Sequence, residues 1–107
     1  MKQTEVKLDI HGISFKFFYG TKKELVKEFG LDPEEIKSGG VNFRERRVYI
    51  TKIPNRGKMD ILGTLTHEIT HVVDLLSRKR GFANEMEHKA YIAGYFFREA
   101  SKGLGFK

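Results

Sequence analysis

The chain contains no cysteine, and this absence limits the chemistry that it can perform. Disulfide bonds, zinc ribbons and thiolate nucleophiles are excluded, so any metal ion must be held by histidine and carboxylate side chains. No apolar run approaches the roughly eighteen residues that a membrane-spanning helix needs. The first residues, MKQTEVKLD, also lack the apolar segment of a signal peptide. We therefore expect a cytoplasmic protein that does not contact a membrane.

The chain also lacks a concentrated charge of one sign. Its formal net charge is +6, but the 20 basic residues are spread along the sequence among 14 acidic ones. The only dense basic cluster is RERR, at residues 44–47. This distribution is typical of a solvated surface, and we do not expect nucleic acid as a partner.

The length and composition indicate one small globular domain. Of 107 residues, 39% are apolar and 12% are aromatic, which is enough for a genuine but small core. No internal repeat and no linker divides the sequence, so residues 1–107 are interpreted as a single domain.

Alternating apolar residues predict two β-hairpins. In the first, EVKLDIHGISFKFFY, His11 and Gly12 form the turn, and one face is expected to carry Val6, Leu8, Ile10, Ile13, Phe15 and Phe17. The second is predicted from GGVNFRERRVYITK, with strands at residues 41–43 and 47–51 and a charged tip between them.

Capping signals predict the helices. Thr21 and Glu24 form a capping box and Gly30 is a stop signal, while Asp32 and Pro33 begin another short helical segment. Two longer helices are predicted over residues 59–80 and 84–102, before a glycine-rich tail. The expected fold class is α+β, with a small, largely antiparallel sheet packed on helices.

The first long helix contains the sequence TLTHEITH. His67 and His71 project from successive turns in the same direction, so their imidazoles can converge on one metal ion. Glu68 is rotated from His67 by about 100°, which suits contact with a water on that ion better than ligation. In a chain of this composition, H-E-x-x-H arises by chance about once in a hundred sequences. The pattern therefore favours a metal site with its own base over a solvated helix face.

This helix resembles the active-site helix of the zincin metallopeptidases. The hairpin GGVNFRERRVYI before it and NEMEHKAYIAGYF after it resemble the order in gluzincins, where a glutamate of the following helix is the third zinc ligand. The size is similar to that of the minigluzincins, minimal soluble relatives of integral-membrane metallopeptidase catalytic domains. The resemblance, over residues 41–97, implies a zincin-like fold, bound Zn²⁺, and hydrolysis of a peptide or protein substrate with Glu68 as general base.

Other zincin patterns fit less well. A metzincin would need glycine and histidine where Asp74 and Ser77 stand, and a deformylase-like site would need a cysteine ligand. An SprT-like DNA-associated protease would use a third histidine. His88 lies at a tolerable distance, but its context is EHKAY.

The third ligand is predicted from the geometry of the last helix. Small residues there mark a face that another helix can approach closely: Ala90, Ala93 and Gly94. Glu87 lies within about 60° of that face, whereas Glu85 points about 140° away. We therefore predict Glu87 as the ligand, with a capping box between Asn84 and Glu87 as the alternative.

The predicted site has His67, His71 and Glu87 as zinc ligands and Glu68 as the catalytic base. Asp74 is interpreted as a hydrogen-bond partner of His71, with a solvated aspartate as the alternative. A non-catalytic metal-binding regulatory module and an SprT-like protease remain open as other functions. The substrate and the oligomeric state are not predicted.

The C-terminal tail suggests a further hypothesis. Residues 103–107 are expected to be flexible, with Phe106 as one apolar anchor that could cover the cleft and make the peptidase latent. Simple terminal fraying is the alternative.

Overall fold

A computed structural model describes residues 1–106 and shows one four-stranded sheet with three α-helices. The strands are β1 (Lys2–Leu8), β2 (Ile13–Thr21), β3 (Gly39–Asn42) and β4 (Arg47–Lys52); the helices are α1 (Lys22–Phe29), α2 (Lys58–Arg80) and α3 (Met86–Gly103). Short 3₁₀ turns occupy Asp9–His11 and Pro33–Glu35. The α+β class is therefore confirmed.

The sheet is mixed, with the strand order β1-β2-β4-β3. Both predicted hairpins are present as antiparallel pairs, β1 with β2 and β3 with β4. The central pair, β2 and β4, is parallel, which corrects the expected largely antiparallel sheet. The reason is that α1 and the following loop lead the chain past the position of β4 to the outer edge of the sheet. There β3 begins at the same end of the sheet at which β2 ends. The second hairpin therefore places β4 beside β2 and leaves β3 at the edge.

The core lies between one face of the sheet and helices α2 and α3. Its fully buried side chains include Phe15, Phe17, Val48, Ile50, Leu65, Ile92 and Phe96. Burial of one such side chain contributes about 1.5–3 kcal/mol. On the other face, α1 covers a smaller cluster of Phe18, Leu25 and Ile36. The large core fixes α2, which carries the predicted site, against the sheet.

The first turn differs from the prediction. Leu8 pairs with Ile13, so four residues connect the strands, and three of them form a 3₁₀ turn. Ile10 lies in that turn and is 68% exposed. Its expected place in the core was wrong because the turn interrupts the alternation of the strand.

The helix ends follow the predicted signals, with one exception. Thr21 and Glu24 form the capping box of α1, and α2 ends at Gly81, whose φ of 78° suits glycine. The N-cap of α3 is Glu85, without a side-chain cap. The alternative capping box between Asn84 and Glu87 is therefore not formed.

The C-terminal tail is packed against the rest of the domain over residues 103–106. Leu104 and Phe106 are buried in the main core, and the Phe106 ring meets the Tyr19 ring edge-on at 4.9 Å. This packing fits neither the hypothesis of a tail over the cleft nor the alternative of simple terminal fraying; Lys107 lies outside the described residues. Among residues 1–106, no helix combines the length and the apolarity that crossing a membrane requires.

Candidate metal and catalytic site

His67 and His71 stand on consecutive turns in the middle of α2, with both side chains exposed. Their Nε2 atoms are 3.1 Å apart, and their rings are nearly perpendicular at 86°. Nitrogens that each lie about 2.0–2.1 Å from one zinc ion are separated by roughly 3 Å. The pair is therefore spaced as two ligands of a shared ion would be.

Glu68 is buried, with 7% of its surface exposed. It lies against β3: a Cβ added to Gly39 would be 3.0 Å from Glu68 Oε2 and 2.7 Å from Thr64 Cγ2. The carboxyl thus occupies space that exists because residue 39 has no side chain. Burial raises the pKa of Glu68, while His67 and His71 act to lower it. A raised pKa suits a group that accepts a proton and then returns it.

An open cleft of about 440 Å³ lies between the start of β3 and the first half of α2. Its lining includes both His67 and Glu68, with Ser38, Arg56, Met59, Asp60, Gly63 and Thr64. A Cβ added to Gly63 would meet nothing within 4 Å, so the helix leaves room there. His67 and Glu68 therefore border open space on the same side of α2, whereas His71 is not part of this lining.

Arg56 holds the two walls of this cleft together. Its Nη1 donates to the carbonyl oxygens of Thr51 (3.2 Å) and Ser38 (3.5 Å). Its Nη2 donates to the Asp60 carbonyl at 3.3 Å and to Thr64 Oγ1. No sequence pattern indicates this role, because Arg56 lies in a loop and Ser38 is 18 residues away in the chain.

Glu87 is not brought to the histidine pair. It is exposed in the first turn of α3, next to His88, which packs on Phe82 beyond the end of α2. His71 lies roughly 13 Å from Arg80 along the axis of α2. Within the part of the chain that the structure describes, residues 1–106, no group of three potential ligands surrounds a common point. The assignment of Glu87 stays a prediction.

Asp74 contacts another partner than the one predicted. Its Oδ2 lies 2.9 Å from Nη2 of Arg78, one turn further along α2. Such an exposed ion pair contributes little to stability. The structure therefore brings together His67, His71 and Glu68, while Asp74 pairs with Arg78 and Glu87 lies apart.

The other two histidines form a second pair that the sequence did not reveal. His11, in the β1–β2 turn, and His88, in α3, have their Nε2 atoms 2.9 Å apart although they are 77 residues apart in the chain. The His11 ring is stacked on Phe82 at 4.9 Å, and Arg80 Nη1 donates to the His11 carbonyl oxygen at 3.2 Å. Burial, with His88 and Arg80, lowers the pKa of His11.

The protein is a small α+β domain whose helix α2 carries the histidine pair, His67 and His71. The buried carboxyl of Glu68 lies beside this pair and against the edge strand β3. Comparisons of this chain with protein-family models, with curated proteins and with solved structures found no match.

Proposed function

We propose that the protein is a zinc-dependent metallopeptidase of the gluzincin type, which hydrolyses peptide bonds in a peptide or protein substrate. The observation that carries this proposal is the convergence of the His67 and His71 Nε2 atoms, 3.1 Å apart, beside the buried carboxyl of Glu68. His67 and Glu68 border an open cleft, and His71 lies one helical turn after His67.

His67 and His71 would hold the zinc ion, and Glu87 is the proposed third ligand. Zinc, when bound, lowers the pKa of a water molecule and polarises a carbonyl group. Glu68 would accept the proton of the attacking water and pass it to the leaving amine. The edge strand β3, beside Glu68, offers unpaired backbone groups to an extended substrate.

A non-catalytic metal-binding module is the second candidate. The observation that favours it is the position of Glu87, exposed in the first turn of α3 next to His88, which packs on Phe82 beyond the end of α2. A module of this kind needs the histidines but has no use for a buried carboxyl beside them.

The test compares the wild type with Glu68→Ala, each loaded with zinc, on an unfolded protein and on a fluorogenic peptide library. We expect Glu68→Ala to keep its zinc and to lose hydrolysis by about 10²–10⁴-fold, as removal of a general base does. His67→Ala with His71→Ala is the control that should lose zinc at this site. Equal inactivity of the wild type and Glu68→Ala, with zinc bound to both, would favour the binding module.

A further inference from the structure

All four histidines of the chain are paired, but the two pairs differ in origin. His67 and His71 come from one helix, whereas His11 and His88 are brought together by the fold. We propose that His11 and His88 form a second binding site, for a divalent transition-metal ion, that is independent of His67 and His71.

The positions of the two rings support a shared ligand. The Nε2 atoms face each other at 2.9 Å, close to the roughly 3 Å between nitrogens bound to one zinc ion. Phe82 holds both rings: it is stacked on His11, with 21° between the planes, and meets His88 edge-on at 4.5 Å. Both imidazoles are half-buried, so little side-chain freedom remains to be lost when an ion binds.

A hydrogen bond between the rings is the competing explanation for this contact. It requires one Nε2 to carry a proton and the other to accept it. For a metal ion to bind both Nε2 atoms, the donor ring would exchange its Nε2 proton with solvent and carry a proton on Nδ1 instead, so that both rings stay neutral. The two explanations therefore differ in a measurable quantity, the number of metal ions bound.

The donor atoms determine the class of ion. Neutral imidazoles favour Zn²⁺, Ni²⁺ and Cu²⁺, whereas Mg²⁺ and Ca²⁺ prefer oxygen ligands. The Arg80 guanidinium, which donates to the His11 carbonyl, places a positive charge nearby. We therefore expect weaker binding than at a three-ligand zinc site, with water completing the coordination.

Such an ion would link the β1–β2 turn to the first turn of α3. A ligand that binds only the folded chain stabilises it, so the melting temperature should rise with the metal concentration. The link would also fix the helical turn that carries Glu87.

Two complementary variants separate the sites, because the chain has four histidines and no cysteine. His67→Ala/His71→Ala retains only the second pair, and His11→Gln/His88→Gln retains only the first. Each is titrated with zinc chloride and with nickel chloride by calorimetry, and the imidazole ¹⁵N resonances are recorded. We expect His67→Ala/His71→Ala to bind one equivalent, with shifted Nε2 resonances of both remaining histidines and a raised melting temperature. Adding His88→Gln should abolish all three effects.

The proposal is overturned if folded His67→Ala/His71→Ala binds neither ion, or binds one without shifting both Nε2 resonances. If the His88→Gln variant is unfolded by circular dichroism, the resonances of His67→Ala/His71→Ala decide alone. The proposed peptidase is tested separately in His11→Gln and in His11→Gln/His88→Gln, which both retain His67, Glu68, His71 and Glu87, so failure of either idea is recognised independently.

Discussion

At the scale of single residues, the missing side chain of Gly39 determines where Glu68 lies. A methyl group there would come within 3.0 Å of the carboxylate and 2.7 Å of the Thr64 methyl, so one of them must move. We expect Gly39→Ala to lower kcat/KM at least tenfold, as displacement of a positioned general base does, while zinc binding is unchanged.

Gly94→Ala is the matched control for this variant. It also adds one methyl group in place of a glycine, but in open space within α3 and outside the lining of the cleft. It should retain activity and raise the free energy of unfolding by about 1 kcal/mol. Full activity of Gly39→Ala, or an equal loss in both variants, would show that Gly39 does not position Glu68.

The pKa of Glu68 predicts a pH dependence of stability in the zinc-free protein. Because burial raises this pKa above its ordinary value of 4.5, the folded state binds the proton more tightly than the unfolded state does. The resulting stability is fully present below the pKa that Glu68 has in the unfolded chain. It is lost as the pH rises through the higher pKa that Glu68 has in the folded chain. Urea unfolding between about pH 4 and pH 7 should therefore show the stability of the wild type falling relative to Glu68→Gln. A pH-independent difference between the two would contradict this account.

At the scale of elements, the C-terminal tail contributes to the core. Phe106 is 8% exposed, and its backbone N–H donates to the Ser101 carbonyl at 2.8 Å. We expect Phe106→Ala to lower the free energy of unfolding by roughly 3 kcal/mol, because it leaves a cavity. Lys102→Ala, on the exposed side of α3, should change it little. Unchanged stability of Phe106→Ala in urea unfolding, with a gain in peptidase activity, would instead restore the idea of a tail over the cleft.

The elements that depend on local signals could be predicted from the sequence. Thr21 and Glu24 begin α1, Gly81 ends α2, and the alternation of each hairpin sets its strands. The His67–Glu68–His71 arrangement is also local, because it follows from helical geometry alone. These features needed no knowledge of the rest of the chain.

The features that were missed depend on contacts between distant segments. The parallel pairing of β2 with β4 follows from the path of α1 and has no pattern of its own. The same holds for the contact between His11 and His88 and for the bond from Arg56 to the Ser38 carbonyl. The centre of the candidate site can therefore be predicted from local sequence, whereas the residues that surround it are brought there by the fold.

At the scale of the whole molecule, folding does not turn the RERR segment into a single basic patch. Arg47 lies over the Phe29 ring at 5.4 Å, while Arg46 borders a small pocket with Lys7 and Asp9. We therefore expect only weak duplex-DNA binding that falls steeply with salt, measured by fluorescence anisotropy. Sub-micromolar binding at physiological salt, lost when residues 44, 46 and 47 are neutralised, would instead favour the SprT-like alternative.

The position of α3 leads to the last prediction, that Glu87 completes the zinc site. Two imidazoles alone hold zinc weakly, and a carboxylate ligand reduces the charge of the site. The first turn of α3 now lies beyond the end of α2, so ligation requires this turn to approach His71. Zinc binding should therefore shift the amide resonances of residues 85–89.

The measurement uses the His11→Gln/His88→Gln background, in which only the first histidine pair can bind. In this background, Glu87→Ala should lower the zinc affinity by about tenfold or more, as loss of a ligand would. It should also abolish the zinc-induced shifts of the amide resonances of residues 85–89. Glu85→Ala, two residues away and also exposed, is the matched control and should change neither. Loss of zinc at the first pair in the background itself, with zinc retained in the single variant His11→Gln, would identify His88 as the ligand. Full affinity in Glu87→Ala would leave a two-histidine site and favour the non-catalytic module over the peptidase.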